Sequence, residues 1–438
     1  MTTIPASLNK IIDEVKEAFP NNDKLNDLFA RCFVNTYETT LQPMEDGTTF
    51  VITGDIPAMW LRDSAAQVRP YLLAANEDED IKHMLTGVVN RQIKFLLHDP
   101  YANAFNSKPS GDRYHEDQTE MTPWLWERKY EIDSLCYPIQ LAYLLWKTTD
   151  STDHLNDEFH EAVRTIVHVF KTEQKHEEQS SYRFERETQL HTETLIRDGL
   201  GSEVAYTGMT WCGFRPSDDA CTYGYLVPAN MFAVVALTYA AEISESVLED
   251  AALASECRDL AAEIKEGIET HGTIDHPHFG KIYAYEVDGL GNYLLMDDAN
   301  VPSLLAAPYL GYCDFDDEVY QNTRQFILSR NNPFYYEGSV AKGIGSPHTP
   351  DHYVWHIALA IQGMTSIDQA EKDEIFDTFL KTDGGTGFMH EGFNASKPEE
   401  FTREWFAWSN TMFSEFVLSY IGKTVTGSPL NKQEKVVK

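Results

Sequence analysis

Apolar residues recur at intervals of three and four along most of this chain. Leu8, Ile11, Ile12, Val15 and Phe19 share one face of a segment that this spacing predicts to be an amphipathic helix. Similar stripes cover about 23–40, 64–76, 80–97, 134–147, 156–172, 227–246, 248–270, 302–310, 316–329, 352–364, 367–381 and 403–421, many opened by Ser, Asp or Asn and closed by Gly or Pro. Ser64 is the candidate cap of the stripe that it begins. Long connections rich in Gly, Pro, Asp, Trp and His lie at about 41–63, 98–132, 177–226, 272–301, 330–351 and 382–402. Loops of that length usually carry function. Alternating residues at 49–52 and 281–285 predict short hairpin strands inside them, secondary to the helices.

No repeat of fixed period and no shift in composition divides the chain. About a dozen helices with alternately short and long connections predict an all-α fold, a closed barrel of inner and outer helices with its long loops at one end. A helical solenoid is the competing layout, and the missing repeat counts against it. Residues 1–422 are expected to form one domain. Residues 423–438, polar and with four lysines against one glutamate, are expected to fray.

Composition narrows the function classes. Lys plus Arg number 35 and Asp plus Glu 69, a net charge of −34 that argues against nucleic acid or an anionic membrane as partner. At 42% apolar and 12% aromatic residues the chain is too hydrophobic to be disordered. No basic stretch leads into an apolar one at the N-terminus, no uncharged apolar run reaches 18 residues, and the six cysteines include no Cys-x-x-Cys pair. A cytoplasmic protein with reduced thiols is the expectation, so the glycosylation sequon at Asn394 carries no weight.

A His-Glu-x-x-His pair, a Walker loop and a complete dinucleotide fingerprint are all missing; Gly385-Thr386-Gly387 lacks the third glycine and the strand. Neither a metal nor a cofactor is therefore expected. The acidic run 76–80 reads as a solvated helix start. What the loops do hold is carboxylates beside tryptophan, arginine and histidine. One segment, 53–72, carries Asp55, Trp60, Arg62 and Asp63; a second, 207–225, carries Trp211, Arg215, Asp218 and Asp219; a third, 384–394, places Glu391 after His390; a fourth, 403–410, holds Glu404, Trp405 and Trp408. Such mixtures suit sugar, whose hydroxyls take bidentate hydrogen bonds and whose apolar face lies on aromatic rings. Cleaving a glycosidic bond needs two carboxyls, one protonated and one ionised. Sequence spacing does not show whether Asp218 and Glu391 face each other, and any one of these carboxylates could instead cap a helix or pair with a nearby arginine.

Together with 126–138 (WERKYEIDSLCYP), 286–312 (EVDGLGNYLLMDDANVPSLLAAPYLGY) and REWFAWSN at 403–410, the first three segments resemble glycoside hydrolase family 125, the exo-α-1,6-mannosidases, from about residue 20 to 421. The resemblance implies an (α/α)6 barrel and metal-independent, inverting hydrolysis of a non-reducing terminal α-1,6-linked mannose from an oligosaccharide. It places the general acid on Asp218, with Asp219 the alternative, and the general base on Glu391. Inversion asks for roughly 6.5–9.5 Å between the two carboxyls, and the acid needs a raised pKa, from desolvation or the charge of Asp219, with Arg215 opposing if close. Gly392, Asn394 and His356 depart from the family strings, which bears on acceptor preference.

For substrate binding the candidates are Arg62, Asp63 and Asp55, each of which could instead fix its loop. Trp60 and Trp211 fit loop or core anchors as well as stacking platforms. Asp298 and Asn300, with Asp297, stand between helix capping and hydroxyl recognition. His348 and His115 lie in loops that could line subsites, and Glu404 and Trp405 open the last predicted helix. Rival readings are a helical-barrel enzyme acting on α-glucosides, a sugar-binding protein without catalysis, and a terpene cyclase. The last lacks the third acidic residue that a magnesium-binding Asp-Asp-x-x-Asp needs at 218–222 and 297–301.

Overall fold

The computed structural model describes residues 3–432. Its helices, in chain order, are α1 (Ala6–Ala18), α2 (Asp23–Thr39), α3 (Leu61–Val68), α4 (Glu79–His98), α5 (Ile132–Thr149), α6 (Asp157–Glu173), α7 (His176–Gln179), α8 (Val227–Ser246), α9 (Ala251–His271), α10 (Ala307–Leu310), α11 (Glu318–Ile327), α12 (His356–Thr365), α13 (Gln369–Phe379) and α14 (Ala407–Tyr420). Fold and sequence pattern agree on where helices lie. Short strands form six small antiparallel sheets of two or three strands, more than an all-α expectation contains, and the hairpins foreseen near 49–52 and 281–285 are among them.

Two kinds of helix differ in burial. In α3, α10 and α12 every residue is buried, whereas α1, α6 and α11 bury only one stripe. A helix apolar all round needs neighbours on all sides. Accordingly α3 packs on α5, α5 on α8, α8 on α10, α10 on α12, α12 on α14, and α14 returns to α3, while α2, α4, α9 and α13 pack on the outside of these. Helix α8 is long and apolar enough to cross a membrane, but 78% of that stretch is buried inside the protein.

Capping divides the helices the same way. Asn22, Asp78, Asn156, Asp250, Asp317 and Asp368 each accept a backbone N–H at the start of an outer helix, worth about 1 kcal/mol apiece. The inner helices α3, α5, α8, α12 and α14 begin at Trp60, Glu131, Leu226, Trp355 and Phe406 with no side-chain cap. Strands Met59–Trp60, Tyr225–Leu226 and Tyr353–Trp355 run straight into α3, α8 and α12, so the small sheets crown the N-terminal ends of the inner helices. Those ends carry the positive poles of the helix dipoles and favour carboxylates.

Several boundaries depart from the sequence pattern. Ser64 does not cap α3; it lies inside the helix and donates to the Leu61 carbonyl, because the chain becomes helical directly after strand Met59–Trp60. The stripe at 64–76 breaks into α3 and a 3-10 turn, Arg69–Leu73, at Pro70, which has no N–H to continue the ladder. Residues 423–432 pack rather than fray: Val425 and Leu430 are buried and Arg69 donates to the Ser428 hydroxyl at 3.1 Å. The remainder of the expected tail, 433–438, lies outside the described residues.

Candidate active site

At the N-terminal ends of the inner helices lies a cavity of about 280 Å³, and both Asp218 and Glu391 line it. Asp218 sits at the tip of a tight turn in which the Asp218 N–H donates to the Arg215 carbonyl and the Arg215 N–H to the Asp219 carbonyl. Its φ of 70° is a left-handed conformation that aspartate tolerates better than most residues. Three side chains hold that turn: Lys129 donates to the Asp218 carbonyl at 2.8 Å, Asn300 to the Pro216 carbonyl at 2.7 Å, and Ser217 to Asp298 Oδ2 at 2.8 Å.

Glu391 arrives by a different route. It precedes strand Gly392–Asn394, which pairs with Tyr353–Trp355. His356, neutral because burial lowers its pKa to about 3, lies 3.0 Å through Nδ1 from the His390 backbone N and 3.1 Å through Nε2 from Thr382 Oγ1, which fixes the chain just before Glu391. Arg403 Nη1 lies 3.7 Å from Glu391 Oε1. The other edge of the same guanidinium is held by both oxygens of Asp55. That pairing depends on Gly54, where a Cβ would stand 2.5 Å from the Trp405 carbonyl oxygen and force the two loops apart.

Behind Asp218, four carboxyls surround one guanidinium. Arg62 Nη1 meets Glu131 Oε2 at 2.5 Å and Asp133 Oδ2 at 3.3 Å, Nη2 meets Asp218 Oδ1 at 3.5 Å, and Nε lies 3.6 Å from Asp63 Oδ2. Even with Lys129 counted, carboxyls outnumber cations, so the cluster retains protons. Burial pushes Asp63 and Asp133 each up to about 6 and Glu131 well above the usual carboxylate range. For Asp218 burial also pushes upward, but Lys129, Arg62, a hydrogen bond from Glu131 and His348 outweigh it and hold the carboxyl at about 2.

The raised pKa expected at Asp218 is therefore absent, and Glu131 is the member of the pair that burial favours in the protonated form. The physical reason is twofold: Lys129 and His348 favour charge on Asp218, whereas Glu131, whose side chain has no solvent exposure, is raised chiefly by burial. Neither neighbour invoked from the sequence acts as foreseen. Asp219 turns away to His348 Nδ1 at 3.0 Å, and Arg215 is taken by Glu286 at 2.6 Å.

Of the predicted binding residues, Trp60, Arg62, Asp63, Asn300 and His348 line the cavity. Asp298 stands behind it, holding Ser217, and Asp55 holds Arg403. Glu404 and Trp405 are misplaced by the sequence reading: α14 starts two residues later, Glu404 is exposed, and the Trp405 indole donates to Asn35. Trp211 is a core residue stacked on His176 at 3.6 Å. Asp297 caps a turn, accepting from the Leu304 and Leu305 N–H groups. Trp408, noted in the fourth segment, also lines the cavity, whereas Lys129, Glu131, Asp133, Trp355 and Arg403 were not singled out as site residues. The one available signal was the charge density of Arg128-Lys129-Tyr130-Glu131 in a segment otherwise bound for the core.

A larger groove of about 540 Å³ lies outside, between α8 and α9, but no carboxylate lines it and it offers no acid–base pair. Among the described residues no group of three or more His, Cys, Asp or Glu side chains is arranged to hold a metal ion.

Residues 22–418 match the family described as metal-independent alpha-mannosidase, GH125. The chain belongs to glycoside hydrolase family 125. It is similar to the Meiotically up-regulated gene 157 protein of Schizosaccharomyces pombe, at 39% identity over 95% of this chain and 86% of that one. A Streptococcus pneumoniae structure, from a family of metal-independent alpha mannosidases and holding alpha-1,6-mannobiose in a non-productive complex, is 50% identical over 96% of this chain and all of that one, with a TM-score of 0.94. A bacterial glucoamylase bound to acarbose shares the fold alone, at 14% identity over 87% of this chain and 51% of that one, TM-score 0.55. As a GH125 chain the protein is a glycoside hydrolase of the α-mannosidase class.

Proposed function

We propose that this chain is an inverting exo-mannosidase that releases a single non-reducing terminal mannose from an α-1,6 linkage, on an (α/α)6 barrel whose inner helices are α3, α5, α8, α10, α12 and α14. The observation that carries the reading is Asp218 and Glu391 sharing one small cavity, with Arg62, Asp63, Asn300 and His348 around them as hydroxyl partners. A volume of about 280 Å³ suits one sugar ring and a water rather than a long chain, which supports exo action.

Asp218 is the acid and Glu391 the base. A bound sugar strips water from Asp218, its charge loses solvation, and the proton held on Glu131 passes to it. Asp218 then gives that proton to the glycosidic oxygen as the C1–O bond breaks. Glu391, oriented by Arg403, takes a proton from the water whose oxygen bonds C1 on the opposite face, so the anomeric configuration inverts. Product release returns one proton to the Glu131–Asp218 pair and removes one from Glu391 through solvent. All six cysteines are free thiols, which fits a cytoplasmic enzyme acting on imported oligosaccharides.

Proton NMR of the first product from α-1,6-mannobiose tests the reading. β-Mannose appearing first is expected. α-Mannose first, or no mannose while an α-glucoside is cleaved, would overturn it.

A further inference from the structure

Almost every buried apolar side chain joins one core. Ala58, Trp60, Ala104 and Trp126 do not; with Ile56 they form a separate cluster on the sheet of strands Met59–Trp60, Ala104–Phe105 and Leu125–Glu127. One end of this cluster is the catalytic cavity, which Ile56 and Trp60 line. At the other end the Tyr114 ring meets Trp126 at 4.8 Å and 77°, making an aromatic corner, and Tyr114 is 61% exposed. Among the described residues, neither of the other two exposed tyrosines, Tyr206 and Tyr293, meets another aromatic ring.

The loop carrying Tyr114 is fastened. Buried Asn106 donates to the carbonyls of Asp112, Pro123 and Leu125 at 3.0–3.3 Å. Gln118 and Glu185 exchange backbone hydrogen bonds at 2.8 and 3.2 Å, and Arg186 forks onto Asp117 at 2.7 and 2.9 Å. An exposed aromatic on so anchored a loop loses little entropy when something lies on it. A second observation sits at the cavity end: the buried Trp60 indole N–H has no acceptor in the protein. Asp112, Glu116, Asp117 and Glu120 make the loop acidic against Lys108 and Arg113, which suits a neutral ligand and disfavours an anionic one.

We propose that Trp60, Trp126 and Tyr114 form an aromatic strip for the leaving-group side of the oligosaccharide, with Tyr114 stacking on the sugar two residues beyond the cleaved bond. It rests on the exo-mannosidase reading and extends it to acceptors longer than a disaccharide. Mannobiose reaches the Trp60 end only, and the third sugar of a trisaccharide reaches Tyr114.

Steady-state kinetics of wild type and Tyr114→Ala on α-1,6-mannobiose and α-1,6-mannotriose test this. The trisaccharide-to-disaccharide ratio of kcat/KM is expected to fall about fivefold in Tyr114→Ala, ~1 kcal/mol at 1.4 kcal/mol per tenfold. Tyr114→Phe, which keeps the ring, retains the ratio. So does Ile367→Ala, which removes an exposed apolar group beyond the C-terminal end of α12. An unchanged ratio in Tyr114→Ala, or an equal loss in Tyr114→Phe, overturns the strip. If wild type cleaves neither sugar, the exo-mannosidase reading fails by itself. Quenching of tryptophan fluorescence by mannotriose, lost in Tyr114→Ala, then still supports the strip, and its absence overturns it.

Discussion

Glu131→Gln separates proton supply from everything else the site does. Burial raises the Glu131 carboxyl well above the usual carboxylate range, so glutamine imitates the shape and neutrality of its protonated form. Its amide oxygen can accept from Arg62 Nη1 and the Ser134 hydroxyl, as Oε2 does, and its NH2 can donate to Asp218. Asn103, deprived of Oε1, keeps Glu127 at 2.9 Å. Stability should change by no more than about 1 kcal/mol. What the variant lacks is a transferable proton. With Asp218 held ionised by Lys129 and Arg62, very few molecules carry the acid proton at pH 6. The kcat/KM for α-1,6-mannobiose is expected to fall about 10³- to 10⁴-fold and to recover about tenfold for each pH unit lowered toward 4. A 4-nitrophenyl α-mannoside, whose leaving group departs without protonation, should lose less than about tenfold. Stopped assays with both substrates from pH 4 to 8 decide it. Equal losses on the two substrates, or a flat acid limb, would show that Glu131 merely supports the fold.

Glu391→Gln should instead lower turnover of both substrates together, by about 10³-fold, since activating the water is needed whatever leaves; a loss confined to mannobiose would refute the base assignment. His348 is pulled down by burial but raised to about 9 by Asp219, so its cation stabilises the fold fully below about pH 6.5 and that contribution is lost as pH rises through about 9. In Asp219→Asn the histidine pKa should fall from about 9, seen as a shallower slope in Tm between pH 6.5 and 9. Ending the chain after Gly422 removes buried Val425 and Leu430 and frees Arg69 from Ser428, and should cost about 3–6 kcal/mol, read as a lower denaturant midpoint.

Much of this protein was written in local sequence. The three-and-four spacing placed the helices, because an amphipathic stripe is a property of one segment and its period. The segments at 207–225 and 384–394 marked the two carboxyls that share the cavity, because each concentrates unusual residues in a short span. Helix ends were less legible. Ser64 looked like a cap and Trp405 like a first turn, but strands formed with distant partners decide where α3 and α14 begin, and no local pattern encodes those partners.

Which carboxyl holds the proton was beyond the sequence altogether. Asp218 looked like the member of the pair that ought to be raised, yet it has 28% exposure beside Arg62 and Lys129, while Glu131, from a segment 87 positions earlier, is sealed in. A pKa depends on desolvation and on charges within a few ångströms, and both are set by which chain segments meet. The sequence alone determined the helices and the family, and it singled out Asp218 and Glu391, which the fold brings to one cavity. Only the tertiary structure decided their neighbours, and with them the site's charge balance.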